Sequence, residues 1–330
     1  MICITNNITL GVFMTDKCQI LALSGGGYKG LFTASIMHYF EEQTGKPIAQ
    51  NFDLLAGTSI GGILALAAAF EIPMSKVIQA FKDHGESLFP TKRFYDGILT
   101  AKYSQEALIA IISSVLPKGA KLGDALHPVI IPAVNMTKGQ IQMFKTPHHE
   151  NFVNDQHLSV IDIALATSAA PTYFPLADVK NCRYADGGLF SNAPDLASLH
   201  EAEHFWRLDL DNIKLVSIGA LSSKFSLDTN VDNDMGVLKW MDNIRLIEVM
   251  MASQQQLSHH LMTHKLGERY YRIDENISTE QSKSIGLDIA TPQTTSTLLG
   301  LGEELAKASF TGLSKGGVWS HKPKQRIIRK

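Results

Sequence analysis

The sequence QILALSGGGYKG (residues 19–30) decides the fold of this chain. An apolar run leads into three consecutive glycines, and apolar residues then recur at helical spacing over residues 30–43. A second unit of the same kind, FDLLAGTSIGG (residues 52–62), runs from a short apolar segment through a glycine turn into an alanine-rich helix. Two strand, glycine turn and helix units in succession predict an α/β fold with a mainly parallel central sheet.

The next part of the chain continues to alternate strands and helices, and the part after about residue 235 is mainly helical. We predict helices over residues 73–83, 103–116 and 159–169, and strands over 128–136, 140–146, 183–185 and 215–218. From about residue 235 a long helix runs toward His264, followed by a short strand at 270–273 and a last helix near 296–309. We therefore divide the chain into an N-terminal extension (1–18), a main α/β domain (19–230) and a C-terminal helical region (231–330) packed on it.

Composition excludes several classes of protein. A chain of 330 residues that is 45% hydrophobic can build one large core, and a net charge of −2 provides no field for a nucleic-acid polymer. Cys3, Cys18 and Cys182 form no CxxC pair, which favours a reducing compartment. No secretory signal is visible in residues 1–18, and the apolar run at 60–72 is too short to span a bilayer. We expect a cytoplasmic protein whose contact with a membrane is peripheral.

The C-terminal end is locally basic. Its cations are Lys322, Lys324, Arg326, Arg329 and Lys330. They fit either a solvated, frayed end or attraction to an anionic membrane surface.

The pattern Gly57-Thr58-Ser59-Ile60-Gly61 is a G-x-S-x-G motif between a strand and a helix. A nucleophilic serine must project from a sharp turn, and glycines two residues on either side remove the Cβ atoms that would collide there. The following helix directs its N-terminal N–H groups at the same place. Ser59 is therefore our candidate nucleophile.

The glycine run Gly25-Gly26-Gly27 leaves backbone N–H groups free to converge on an anion. In an acyl hydrolase that anion is the oxyanion of the tetrahedral intermediate. Gly25, Gly27 and Gly30 also satisfy the G-x-G-x-x-G pattern of dinucleotide sites, but the next strand leads into Ser59 instead of the acidic residue that such a site needs. A plain structural turn is the third interpretation.

Asp186-Gly187-Gly188 places a carboxylate at the predicted end of a strand. If Asp186 reaches Ser59, it can act as the general base without a histidine. Taken alone, Asp-Gly is also a standard β-turn signal.

Histidine and metal chemistry find little support in the sequence. The histidines after Ser59 lie in no recognisable catalytic context, and no HExxH or comparable ligand cluster occurs. We predict no metal and no essential histidine. These histidines include His148, His149, His157, His200, His204, His259, His260 and His264.

The three glycine motifs, in this order, resemble the patatin-like phospholipases. The resemblance extends to ATSAAPTYFP (166–175) and to Asn192 and Pro194, and it covers about residues 19–220. It implies a three-layer sandwich that cleaves acyl esters of phospholipids with a Ser59–Asp186 dyad. Two positions depart from the family: Ser24 replaces its usual acidic residue and Lys29 its usual arginine, which removes a bidentate cation and leaves head-group preference open.

The resemblance assigns further roles around the dyad. Gly25, Gly26 and Gly27 form the oxyanion hole, and five residues lie close to the substrate: Lys29, Gly57, Gly61, Gly187 and Gly188. LALSGGGYKGLFTA (21–34), QQQLSHHL (254–261) and RYYRID (268–273) resemble a bacterial subgroup that acts in anti-phage CBASS signalling and is activated by cyclic GMP-AMP.

The expected partners are a phospholipid membrane surface, reached from the cytoplasm, and a cyclic dinucleotide at an unassigned site, with a homo-oligomer left open. No other cofactor is expected. Two rival hypotheses remain: a Ser-His-Asp esterase using His259 or His260, and a nucleotide-binding module that does not hydrolyse its ligand. We interpret the apolar stripe Trp240, Ile244, Ile247 and Met251 as core or a subunit contact.

Overall fold

A central sheet with helices on both faces forms the body of the protein. The computed structural model describes residues 17–90, 100–223, 234, 245–277, 284–324 and 326–328. Within these ranges the sheet has eight strands, and two separate apolar cores lie on its two sides. The predicted three-layer α/β architecture is confirmed. The predicted domain boundary near residue 230 lies outside the described residues.

The sheet has the strand order β5-β6-β3-β2-β1-β7-β9, with β4 paired to β3 off this path. Strands β3, β2, β1, β7 and β9 are parallel to their neighbours in that order, whereas β4 and β6 run antiparallel to β3 and β5 runs antiparallel to β6. The strands are β1 (Cys18–Leu23), β2 (Leu54–Gly57), β3 (Val129–Asn135), β4 (Gln140–Lys145), β5 (Ala177–Val179), β6 (Cys182–Asp186), β7 (Ile213–Ile218) and β9 (Tyr270–Ile273). A short parallel pair, β8 (Ser222–Ser223) and β10 (Asn276–Ile277), lies apart from it.

Strand β1 shows why the sheet is covered on both faces. All six of its residues are buried, as expected for a central parallel strand. Leu21 and Leu23 belong to one apolar core, whereas Cys18, Ile20 and Ala22 belong to the other. Because successive side chains of a strand point to opposite faces, this one segment anchors both outer layers.

The helices divide between these two cores. α1, α2, α3, α4, α5 and α9 contribute to the first core, and α7 and α8 to the second. The helices are α1 (Gly30–Thr44), α2 (Ile60–Ala69), α3 (Met74–Leu88), α4 (Gln105–Val115), α5 (Val160–Ser168), α6 (Gly188–Ser191), α7 (Asp195–His200), α8 (Arg245–Leu266) and α9 (Pro292–Lys315). Ser159 caps α5 by accepting a hydrogen bond from the Asp162 N–H. None of the helices in the described part of the chain has the length and apolarity needed to cross a bilayer.

The C-terminal region is built into the same body. β9 extends the sheet beside β7, and α9 lies against α1. A Cβ atom on Gly302 would overlap the Phe32 carbonyl oxygen, so the two helices approach closely at a residue without a side chain. The Ser35 hydroxyl donates to the Leu299 carbonyl at 2.7 Å across the same contact.

The basic C-terminal segment is anchored, at least in part. The buried Asp53 carboxylate accepts hydrogen bonds from the His321 ring at 2.6 Å and from the Lys324 backbone N–H at 2.9 Å. The Ile328 N–H donates to the Pro147 carbonyl at 2.7 Å. The contacts of His321, Lys324 and Ile328 argue against a frayed end there, whereas the exposed side chains of Lys322 and Lys324 agree with a solvated one.

Candidate active site

Ser59 occupies the sharp turn between β2 and α2. Its backbone has φ +56° and ψ −126°, a region that residues other than glycine rarely adopt and that clusters at functional sites. A Cβ atom on Gly57 would overlap the Gly61 carbonyl oxygen, and one on Gly61 would overlap the Leu23 carbonyl oxygen. The two motif glycines therefore permit the close backbone packing that this turn requires.

The segment ATSAAPTYFP (166–175) holds the Ser59 turn in place through hydrogen bonds. The Thr167 hydroxyl accepts a hydrogen bond from the Ser59 N–H at 3.0 Å and donates to the Pro132 carbonyl at 2.6 Å. The Asp186 N–H donates to the Ala169 carbonyl at 3.0 Å. This segment thus links the serine turn to the end of β6, where the aspartate lies.

Asp186 is buried beside Ser59. It ends β6 opposite Ala133 of β3, and its Oδ1 accepts the Gly188 N–H at 2.7 Å. Burial raises the pKa of the Asp186 carboxyl from 3.8 to about 6, and hydrogen bonds from the Gly188 N–H and the Ser59 hydroxyl counteract this only in part. The carboxyl is therefore a stronger base than an exposed aspartate, and it is still largely ionised at neutral pH.

Two of the three glycines predicted to form the oxyanion hole have a backbone N–H that is free to donate to an oxyanion. Within the described ranges, neither the Gly26 N–H nor the Gly27 N–H donates a hydrogen bond. The Gly25 N–H, in contrast, donates to the Asn192 carbonyl at 2.9 Å. Because an amide has a single hydrogen, this bond removes Gly25 from the predicted oxyanion donors and leaves Gly26 and Gly27.

Ser59 and Asp186 open into one apolar pocket of about 850 Å³, including its mouth. Residues from several elements form its wall, among them Phe81, Leu108, Phe174, Ile247, Met251 and Leu287. All twelve histidines of the chain lie within the described ranges, and none of them lines this pocket. His259 packs against Tyr270 and His260 against His264 instead. The geometry thus gives the Ser-His-Asp alternative no support.

Only one of the five residues expected near the substrate lines this pocket, and that residue is Gly188. Gly57 and Gly61 shape the serine turn, and a Cβ atom on Gly187 would overlap the Pro132 carbonyl oxygen. Lys29 is buried, and its ammonium donates to the Leu221 carbonyl at 2.9 Å at the edge of a second pocket of about 400 Å³. Burial lowers the pKa of Lys29.

The C-terminal region adds residues that the sequence reasoning placed elsewhere. Ile247 and Met251, interpreted as core or a subunit contact, line the Ser59 pocket from α8, whereas Trp240 and Ile244 lie outside the described residues. Leu287 lies over Gly27 and accepts the Tyr28 N–H at 2.8 Å. The apolar stripe predicted that this face of α8 is buried, but the sequence does not show that the face borders the Ser59 pocket. Nothing in the local sequence marks Leu287.

Comparisons with known proteins find relatives along most of this chain. The model of the patatin-like phospholipase family matches residues 21–196, which include Ser59 and Asp186. A Pseudomonas aeruginosa protein named cGAMP-activated phospholipase is 38% identical over 88% of this chain and 89% of its own length. Proteins of the same name from Vibrio cholerae and Escherichia coli are 33% and 31% identical, over 90% and 89% of this chain and 93% and 90% of their own lengths.

Proposed function

Because the chain belongs to the patatin-like phospholipase family, we propose that it hydrolyses fatty-acyl esters of membrane phospholipids, with Ser59 as nucleophile and Asp186 as general base. The observation that carries this function is the pairing of Ser59, in its strained turn, with a buried carboxylate whose pKa is raised to about 6. A base whose pKa lies near the working pH transfers protons efficiently, and no described histidine is positioned to replace it.

The reaction follows from this arrangement. Asp186 accepts the Ser59 hydroxyl proton while the serine oxygen attacks the ester carbonyl carbon. The Gly26 and Gly27 N–H groups stabilise the negative oxygen of the tetrahedral intermediate. The bond to the alcohol oxygen then breaks, and that oxygen takes the proton from Asp186. Water attacks the resulting acyl-serine with Asp186 again as base, which releases the fatty acid and restores the Ser59 hydroxyl.

The pocket favours an acyl chain over a nucleotide. Its wall is dominated by aliphatic and aromatic side chains, which match a hydrocarbon and offer no partners for phosphates. This contrast supports hydrolysis of lipids over the alternative of a nucleotide-binding module that does not hydrolyse its ligand.

The similarity to proteins named cGAMP-activated phospholipase supports activation by cyclic GMP-AMP. A role in antiviral defence rests on the sequence resemblance alone. In this account the enzyme acts from the cytoplasm on the inner membrane surface and binds its activator away from the dyad. A ligand activates only if it binds the active state more tightly than the inactive state.

The test is fatty-acid release from mixed phospholipid vesicles, measured by mass spectrometry with and without cyclic GMP-AMP. We expect release by the activated wild-type protein, and a loss of at least about a thousandfold in Ser59→Ala and in Asp186→Asn. Ser87→Ala, which removes an exposed serine from α3, is the matched control and should retain full activity. Folded Ser59→Ala that keeps more than a tenth of wild-type activity would contradict the assignment.

A further inference from the structure

Gln254, on α8, uses both ends of its side-chain amide to hold the segment that follows Asp186. Its Nε2 donates to the Leu189 carbonyl at 3.0 Å, and its Oε1 accepts the Asn192 N–H at 3.1 Å. The two contacts fix both ends of residues 189–192. A single glutamine thus forms a two-point clamp across this short segment.

The clamped segment touches every element of the proposed catalytic machinery. The Asn192 carbonyl accepts the Gly25 N–H at 2.9 Å, next to the oxyanion donors. The Ser191 carbonyl accepts the Thr58 hydroxyl at 2.6 Å, one residue before the nucleophile. Gly188, just before the segment, donates to Asp186 at 2.7 Å. A shift of residues 189–192 would therefore disturb the base, the nucleophile turn and the oxyanion loop together.

Asn192 gives this segment little freedom to move. It is fully buried, and its side-chain amide donates to the Gly25 carbonyl at 3.4 Å, so both polar groups of the Gly25 backbone face this one residue. A Cβ atom on Gly25 would overlap the Asn192 Oδ1 atom. The contact is close, and its geometry depends on where the Asn192 backbone is held.

Helix α8 also forms part of the acyl pocket. Met250 and Met251 line that pocket and lie four and three residues before Gln254, so they share a helix face with it. Gln254 lies outside residues 21–196, the part of the chain that the family model matches. The same helix, α8, thus lines the pocket through Met250 and Met251 and holds residues 189–192 through Gln254.

We propose that Gln254 is a positioning residue for the hydrolysis, acting through residues 189–192 on Asp186 and on the Gly26–Gly27 donors. This inference rests on the proposed function. Gln254 itself does not line the pocket of Ser59 and Asp186. The clamp places the geometry of the dyad under the control of α8, a helix outside the part of the chain that carries the three glycine motifs.

The experiment compares Gln254→Met, which keeps the side-chain length but removes both hydrogen bonds, with Gln256→Met on the same helix. Gln256 is exposed and its side chain makes no hydrogen bond within the described part of the chain, so its variant controls for the change of side chain. We measure kcat and KM on a soluble acyl ester at saturating cyclic GMP-AMP, after counting competent sites with a fluorophosphonate that labels the catalytic serine.

Because misplacement of catalytic groups by about 1 Å can cost about a hundredfold, we expect Gln254→Met to lower kcat by about tenfold to a hundredfold. KM should stay close to the wild-type value, since the residues of the acyl pocket are unchanged. Gln254→Glu keeps an acceptor for the Asn192 N–H but turns a carboxylate oxygen toward the Leu189 carbonyl, so its kcat should also fall below that of wild type. It also carries the test if the methionine variant does not fold.

Equal kcat per competent site in Gln254→Met and Gln256→Met would overturn the positioning role, as would a rise in KM with unchanged kcat. Wild-type and Ser59→Ala proteins in the same series separate this failure from failure of the proposed function. If wild type is active and Ser59→Ala is inactive, the hydrolase assignment stands whatever the result at Gln254.

Discussion

The acid limb of the pH–rate profile should follow the ionisation of Asp186. The carboxyl is 5% exposed, and burial raises its pKa from 3.8 to about 6. A base must be ionised to accept the Ser59 proton, so kcat/KM should be half-maximal near pH 6 and about one tenth of its plateau at pH 5. If the aspartate kept its ordinary pKa, the plateau would extend below pH 5. The shift of about two units corresponds to about 3 kcal/mol of disfavoured ionisation.

The assay is kcat/KM on a soluble short-chain ester at saturating cyclic GMP-AMP, which avoids changes in vesicle surface charge. An imidazole base would titrate in a similar range, so the profile is repeated at two temperatures. The pKa of a carboxyl barely changes with temperature, whereas the pKa of an imidazole falls clearly on warming. A midpoint near pH 4, or one that moves down on warming, would refute the role of buried Asp186 as base.

Three further results follow from the same structure. Because the folded state holds the Asp186 proton more tightly than the unfolded chain, this carboxyl costs stability as pH rises from 3.8 through about 6. Asp186→Asn should therefore raise the free energy of unfolding at pH 8 by at most about 3 kcal/mol and change it little at pH 4; a loss of stability at pH 8 would contradict this. Gly27→Ala places a Cβ atom on the Leu287 carbonyl at φ +57° and should lower kcat, whereas Gly45→Ala, at φ +68° in open space, should lower stability alone, as compared by kinetics and thermal melting. His259→Ala and His260→Ala should each retain wild-type kcat, and a loss as large as that of Ser59→Ala in a folded variant would restore the triad hypothesis.

The local parts of this site could be predicted from the sequence. The strand, turn and helix around Ser59 are encoded within residues 52–62, and the two glycines there serve backbone contacts only a few residues away. The helices and strands that were predicted within the first 220 residues have ends that differ from the observed ones by up to five residues, whereas β5, α6 and α7 were not predicted. Such elements depend on periodicity and on turn chemistry, both of which can be read from a short segment.

The parts that failed depend on contacts between distant segments. Gly25 was predicted to be an oxyanion donor because the sequence does not show that Asn192, 167 residues away, accepts its N–H. Lys29 was expected near the substrate, and the sequence did not show that its ammonium donates to the Leu221 carbonyl, 192 residues away. The polar stretch around Gln254 gave no sign that its target is a backbone segment beside Asp186. Hydrogen bonds to backbone groups leave no pattern in the sequence of the partner, so only the fold reveals them.

The central claim is that Ser59 carries the acyl group during the reaction. The most direct measurement is acid quenching of the activated enzyme within the first turnovers on phospholipid, followed by peptide mass spectrometry. We expect one fatty-acyl group in ester linkage on Ser59 of the wild-type protein, and no acylated peptide in Ser59→Ala or Asp186→Asn. Release of fatty acid without acylation of Ser59, or an acyl group found on another residue, would contradict it.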